Sequence, residues 1–405
     1  MKTLSSFQCL STVALSLSVA ALPACNRDNK HDRVSPEGSN PTSVSAPDSE
    51  AINRPPVVPS VTQTTPAPET KDPLKDVDKD MGRVLTALAG LGGKPIETLT
   101  PEQARQQPTP ADAVKAVLKE DGKPVTPEAV AKVQDRTIPA GTGALPVRIY
   151  TPIGVAGPAP VIVYYHGGGF VIASNDVYDA TPRALANGAK AIVVSVEYRK
   201  APEHKFPAAH DDAFAAYRWV VKNAGSIGGD PRRLAVAGES AGGNLAENVA
   251  IAARDQHERQ PLHVLLVYPV ASSNMSSQSY SDNRDAKPLN KSMMAWFTDK
   301  YFRTPADAQD PRINLVAAKL QGLPPTTIIN AAIDPLLSDG EELAKKLEAA
   351  EVSVEQKTYK GVTHEFFGMG AVVADAKDAV DYAAGRIKTS FEKAATRQTN
   401  TDLTN

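Results

Sequence analysis

The stretch Gly238-Glu239-Ser240-Ala241-Gly242 holds the residue types that nucleophilic acyl chemistry needs, at the spacing it needs. A serine hydroxyl at its free pKa attacks poorly. It has to be held clear of its neighbours, beside a base, with N–H donors close to the oxyanion it creates. An apolar run, Leu234 to Ala237, precedes the serine and a helical pattern opens at Ala241, so Ser240 falls on a sharp strand-to-helix turn. Gly238 and Gly242 relieve crowding where strand and helix approach, and the Ala241 amide opens a helix N-terminus that faces developing negative charge. A lone G-x-S-x-G is equally compatible with an ordinary small-residue loop; the flanking strand and helix favour a nucleophile elbow.

Such a serine needs a base and a carboxylate to orient it, in the chain order serine, acid, histidine. Of the seven histidines only His257, His263 and His364 follow Ser240. His257 falls at the far end of the helix leaving the elbow, and His263 opens a strand at the sheet end opposite the active edge. His364 lies in the loop Gly361-Val362-Thr363-His364 after the last strand, where catalytic groups of parallel sheets collect, and is the expected base. Asp334 leaves the carboxyl end of the run Ile328 to Ile333, with Pro335 stopping that strand, and is the expected acid. Its rival, Asp339, falls in Ser338-Asp339-Gly340-Glu341, which reads as a capping box opening the next helix. Oxyanion donors are expected from His166-Gly167-Gly168-Gly169-Phe170, directly after the apolar strand Val161 to Tyr165, because glycines let main-chain N–H groups approach a ligand closely.

The elements that must position these groups alternate along the chain. Strands are expected at Ala144–Thr151, Val161–Tyr165, Ala191–Val196, Leu234–Ala237, His263–Tyr268, Thr326–Ala332 and Val352–Tyr359, and helices at Tyr178–Asn187, His210–Asn223 and Ala241–Asp255. Near-continuous apolar strands separated by helices indicate an α/β class protein with a mainly parallel sheet covered on both faces. Two amphipathic helices come first, one through Met81, Val84, Leu85, Leu88 and Leu91, and one at about residues 110–118. They belong to a cap or to a separate packing element. From Ala271 to about Val316 there is no strand pattern, but Lys291 to Tyr301 reads as a helix. Its Met293, Met294, Trp296 and Phe297 either line an acyl pocket in a second part of the cap or form that helix's own core.

The chain of 405 residues is 41% hydrophobic and 22% charged with a net charge of −2, which gives no basic face for nucleic acid or an anionic membrane surface. Residues 1–24 read as a signal peptide, with Lys2 ahead of an apolar stretch from Leu10 to Leu22 too short for a permanent span. Leu22-Pro23-Ala24-Cys25 resembles the lipobox of bacterial lipoproteins, in which Cys25 would be lipidated. Pro23 departs from that box, and ordinary signal-peptide cleavage is the alternative. The other cysteine, Cys9, lies in the segment to be removed, so no internal disulfide is expected. The expected organisation is a signal peptide at 1–24, a disordered Pro/Ser/Thr-rich tether at 25–72, cap helices at 73–132, a catalytic domain at 133–388 interrupted by a cap insertion at about 271–316, and a flexible polar tail at 389–405. The expected location is outside the cytoplasm, lipid-anchored to a bacterial membrane and facing the periplasm, or else periplasmic or secreted. Asp211 and Asp212 adjoin His210, but consecutive helix positions diverge and no further ligand completes a metal site. No nucleotide-binding loop is present, so neither metal nor cofactor is expected.

Five ordered motifs stand together: His166-Gly167-Gly168-Gly169-Phe170; Tyr198-Arg199-Lys200-Ala201-Pro202-Glu203-His204 with Phe206-Pro207-Ala208-Ala209; Gly238 through Leu245; Asp334-Pro335-Leu336; and His364-Glu365-Phe366. From about Met81 to Ala384 the chain resembles the hormone-sensitive-lipase-like carboxylesterases, bacterial esterase family IV of the α/β-hydrolase superfamily. The resemblance implies an α/β-hydrolase fold with a helical cap. It implies Ser240 as nucleophile, His364 as general base and then acid, and Asp334 as orienting carboxylate. The oxyanion amides would be those of Gly168, Gly169 and Ala241, supported by His166, Gly167 and Glu239. Two positions depart from the family pattern, which usually has Asp where Glu239 stands and Gly where Glu365 stands. Glu365 adds a charge beside the base, which would raise the pKa of His364 or shape polar substrate binding. The Tyr198 to His204 stretch reads as structural, holding the turn behind the oxyanion loop. The implied activity is hydrolysis of short to medium acyl esters, small-molecule partners, through an acyl-enzyme. Amidases, deacetylases and acyltransferases share such a triad, and a silent tethered binding protein would lack one of its members.

Overall fold

The computed structural model describes residues 75–404 apart from Thr142; the signal segment, Cys25 and the tether at 25–72 lie outside the described residues. The chain opens with α1 (Lys79–Gly90), α2 (Pro101–Ala104) and α3 (Pro110–Glu120). Reciprocal capping boxes start α2, from Thr100 and Gln103, and α3, from Thr109 and Asp112, each with proline at the first helical position. There follow β1 (Lys132–Ala140), β2 (Gly143–Thr151), β3 (Ala159–Tyr165), α4 (Ala180–Ala189), β4 (Ile192–Val196), α5 (Ala208–Asn223), β5 (Gly229–Glu239) and α6 (Ala241–Asp255). The chain continues with β6 (Val264–Val267), α7 (Gln278–Asp282), α8 (Lys291–Tyr301), β7 (Thr326–Ile333), α9 (Leu337–Ala349), β8 (Val354–Thr363) and α10 (Ala374–Thr404).

One sheet carries the strands in the order β1-β2-β4-β3-β5-β6-β7-β8. The first two pairings, β1 with β2 and β2 with β4, are antiparallel, and every later one is parallel. Side chains of β3 alternate between two cores, Val161, Val163 and Tyr165 on one face and Ile162 and Tyr164 on the other. The first core takes α5, α6 and α9; the second takes α1, α3, α4 and α10. This is an α/β-hydrolase fold: a mostly parallel sheet with helices on both faces.

Three expectations change. The strand β1 has no counterpart in the sequence reading, because Ile138 is its only buried residue and charged Lys132, Asp135 and Arg136 mask any alternation. Charge and Pro139 suit a strand at the sheet edge. The capping box expected at Ser338 to Glu341 does not form: α9 starts earlier, and Asp339 is buried in its first turn, accepting the amides of Ala271 (3.0 Å) and Ser272 (2.9 Å). A carboxylate that can reach two amides of another segment satisfies them in preference to its own helix end. The tail at 389–405 is not flexible coil through its length, since α10 runs to Thr404 and buries Ile387 and Phe391 in the second core. Ser390 also stands 3.0 Å from the ring of His263. Apolar residues spaced four apart extend the helix through a Ser/Thr-rich stretch whose composition alone suggests coil. Phe391→Ala should therefore lower the unfolding free energy by about 3–5 kcal/mol, measured by chemical denaturation; a change near zero would return this stretch to a frayed end.

Candidate active site

Parallel strands end on a common edge, and the register decides which of their last residues meet. Ile333 of β7 pairs with Thr363 of β8, after an irregularity that places extra residues in β8, so the next residues, Asp334 and His364, leave the sheet side by side. Strand β8 extends to Thr363, so His364 follows the strand directly, with no intervening loop. The imidazole Nδ1–H donates to Asp334 Oδ2 at 2.6 Å, and Nε2 stands 3.0 Å from Ser240 Oγ. This tautomer follows from its partners: a carboxylate can only accept at Nδ1, which leaves Nε2 to take the serine proton. Asp334 is fully buried, and its second oxygen accepts the Leu336 amide at 2.9 Å.

Ser240 sits between β5 and α6 at φ 56°, ψ −118°. A non-glycine residue in this region carries strain on the order of 1–3 kcal/mol, held by the surrounding hydrogen bonds. Its amide donates to Val267 at 2.9 Å and its carbonyl accepts from Val270 at 3.1 Å. The amide of Ala241 is the first of α6, and those of Gly168 and Gly169 have no backbone partner among the described residues. Gly169 lies at φ 59° with the Phe297 ring against its Cα, so any side chain there would collide with that ring. Tyr198 Oη donates to the His166 carbonyl at 2.8 Å, and the Ala201 amide to the Phe170 carbonyl at 2.9 Å. The Tyr198 to His204 stretch thus braces the glycine loop from behind. His166 stacks on Tyr198, and burial pulls its pKa down to about 4, which keeps the ring neutral.

A cavity of about 380 Å³ opens over Ser240 and His364. Its walls come from the amino-terminal helices, through Leu85, Leu88 and Ile96, and from the inserted segment, through Met293, Met294 and Phe297. Trp296 is turned elsewhere, its indole N–H donating to the Leu99 carbonyl at 3.2 Å. His257 and His263 are not part of this cavity, and His210 is hydrogen-bonded to Tyr301 and Asn244. No group of three potential metal ligands occurs among the described residues.

Two carboxylates that the triad does not use flank it. Glu239, just before Ser240, is buried and accepts Tyr164 and Tyr268 hydroxyls at 2.5 Å each; burial pushes its pKa up to about 7. Glu365, just after His364, accepts the Tyr178 hydroxyl and lies 3.9 Å from His364 Nε2. These three tyrosines carried no motif signal, and only the unusual glutamates on either side of the triad pointed to a buried polar layer.

Residues 162–368 match the family described as alpha/beta hydrolase fold. The chain belongs to that family. Within it, the chain is 40% identical over 262 residues to the carboxylesterase NlhH of Mycobacterium tuberculosis, covering 64% of this chain and 82% of that one. It is 35% identical over 290 residues to an ethyl acetate hydrolase of Pseudomonas putida, covering 70% and 88%. Among solved structures, an esterase of Pyrobaculum calidifontis superposes with a TM-score of 0.69 at 36% identity, over 77% of this chain and 98% of that one. The chain is thus a serine carboxylic-ester hydrolase of the hormone-sensitive-lipase-like branch of the α/β hydrolases.

Burial pulls the pKa of His364 down, but the charge and hydrogen bond of Asp334, then the charges of Glu365 and Glu239, more than offset it and leave it raised. A base must be neutral to accept a proton, so kcat/KM should rise with pH along a limb centred above about 6.5, the value of a free imidazole. Glu365→Gln removes a neighbouring negative charge and should shift that limb to lower pH in a pH–rate profile. An unmoved limb would mean that Glu365 is electrostatically silent toward the base.

Proposed function

We propose that Ser240, His364 and Asp334 carry an acyl-enzyme mechanism on short to medium acyl esters. The supporting observation is that one imidazole reaches both a serine hydroxyl, at 3.0 Å, and a buried carboxylate, at 2.6 Å. As Ser240 Oγ attacks the ester carbonyl, His364 Nε2 takes its proton and Asp334 stabilises the imidazolium. The amides of Gly168, Gly169 and Ala241 receive the developing oxyanion. His364 then gives the proton to the alkoxy oxygen, the alcohol leaves, and a water repeats the sequence to release the acid. Glu239 and His166 act as supports, one beneath the elbow and one beneath the glycine loop. A cavity of about 380 Å³ lies near the lower end of ligand pockets, roughly 300–1,000 Å³, and favours short to medium acyl groups. The amino-terminal helices α1 to α3 and the insertion at about 271–316 together form the cap that bounds it.

The test is hydrolysis of p-nitrophenyl esters from acetate to palmitate. Ser240→Ala and His364→Ala should each lower kcat on the order of 10⁶-fold, and Asp334→Asn about 10⁴-fold. The optimum should fall at or below octanoate. Turnover that survives Ser240→Ala would overturn the mechanism, and a palmitate optimum would overturn the acyl-length reading. A folded enzyme that turns over no ester would point to amides or acyl transfer.

For location, the reading is export and lipid attachment at Cys25, supported by the apolar stretch and small residues ahead of that cysteine. Cys25→Ser should move the protein from the membrane fraction to the soluble fraction of the cell, while an unchanged distribution would exclude the anchor.

A further inference from the structure

Among the charged groups of the cavity wall, Glu365 stands beside the triad histidine without belonging to the triad. Glu365 lines the main cavity together with Ser240 and His364, and also a side cavity of about 40 Å³ shared with Glu239 and Thr181. Its backbone lies at φ 71°, in the left-handed region that glycine occupies freely and that a Cβ strains. A glutamate kept at such a position is held there by its surroundings, and strain of this kind collects where a side chain is needed.

The carboxylate is also under-partnered. One hydroxyl, Tyr178 Oη, reaches its two oxygens at 2.6 and 2.7 Å, whereas an ionised carboxylate offers about four acceptor sites. Among the described residues no lysine or arginine pairs with it, and its ion-pair partner is His364, 3.9 Å away at Nε2. The basic residues of the cavity wall lie on other segments: Lys94 and Lys287 are exposed, and Arg105 is already held by Glu203 at 2.7 Å. Glu365 therefore faces the reaction centre with acceptor capacity to spare; burial raises its pKa, while the neighbouring charge of His364 and the Tyr178 hydroxyl act in the other direction and favour its charged form.

Its position indicates which half of a substrate it meets. In the reading above, His364 Nε2 hands its proton to the alkoxy oxygen, so that oxygen comes within about 3 Å of Nε2. Glu365 Oε1, 3.9 Å from the same nitrogen, then lies no farther than about 7 Å from that oxygen, a span that a group two carbons along the alcohol can bridge. The acyl chain, in contrast, hangs on the carbonyl carbon bound to Ser240. A positive charge or a hydroxyl two carbons from the ester oxygen falls at the distance Glu365 can serve. In a largely apolar cavity such a charge pairing is much stronger than in water.

We propose that Glu365 is a specificity residue for the alcohol half of the ester, favouring alcohols that carry a positive charge or a hydroxyl donor two carbons from the ester oxygen. The proposal rests on the triad roles given above. Near-isosteric pairs test it at pH 8: acetylcholine against 3,3-dimethylbutyl acetate for charge, and 2-hydroxyethyl acetate against propyl acetate for the donor. The wild type should favour the cationic member in kcat/KM by roughly tenfold or more, and the hydroxylated member by less. Glu365→Gln should bring the charge ratio close to one, and Glu365→Asp should retain part of it. Glu365→Gly relaxes the strained backbone and so keeps the fold; it should abolish both preferences. An effect exerted only through the basicity of His364 would scale all four esters alike and leave both ratios unchanged, which overturns the proposal. Ratios near one in the wild type overturn it too, while the hydrolase reading survives. No turnover of any of the four by the folded wild type overturns both.

Discussion

Everything at the catalytic edge depends on how closely three stretches of main chain approach one another. The end of β5, the first turn of α6 and the end of β3 meet at Gly242, where a Cβ would run into the carbonyl of Tyr165. Only a bare Cα lets α6 begin that close to β3, and only that closeness brings the Ala241 amide and the glycine loop after β3 to bear on one point. The strain at Ser240 belongs to the same constraint. A relaxed backbone would turn the hydroxyl back over the sheet, away from a base that arrives from β8.

The second organising fact is the balance of charge around the His364 imidazole. Asp334, Glu365 and Glu239 all raise the affinity of His364 for a proton, against burial that lowers it. The site does not let these carboxylates act alike. Asp334 is fixed by the imidazole and the Leu336 amide, and Glu239 by two tyrosine hydroxyls, whereas Glu365 has one hydroxyl and faces the cavity. Preorganised partners hold the first two in place before any substrate arrives, which spares reorganisation during the reaction.

Much of this was legible in the residues because parallel α/β sheets write their logic plainly. Fully buried strands read as apolar runs, and their ends mark the edge where Ser240, Asp334 and His364 had to meet. The parts that were not legible share one cause, that tertiary contacts overrode local pattern. Strand β1 is polar because it is an edge, so it shows no alternation. Asp339 has the spacing of a capping residue yet serves two amides from a segment far away in sequence. Phe391 sits in a stretch whose composition suggests coil, and only the second core explains why it stays helical. Tyr164, Tyr178 and Tyr268 look like ordinary core aromatics until the two glutamates they serve are seen beside the triad.

The bond from Asp339 to Ala271 and Ser272 has a mechanical side. Those amides are the root of the inserted segment, and α9, which holds them, directly follows the turn that carries Asp334. The segment is thus moored to the same footing as the acid. Any widening of the cavity mouth has to pivot beyond that mooring, near α8 or among the amino-terminal helices, so that substrate can pass without loosening the grip on His364.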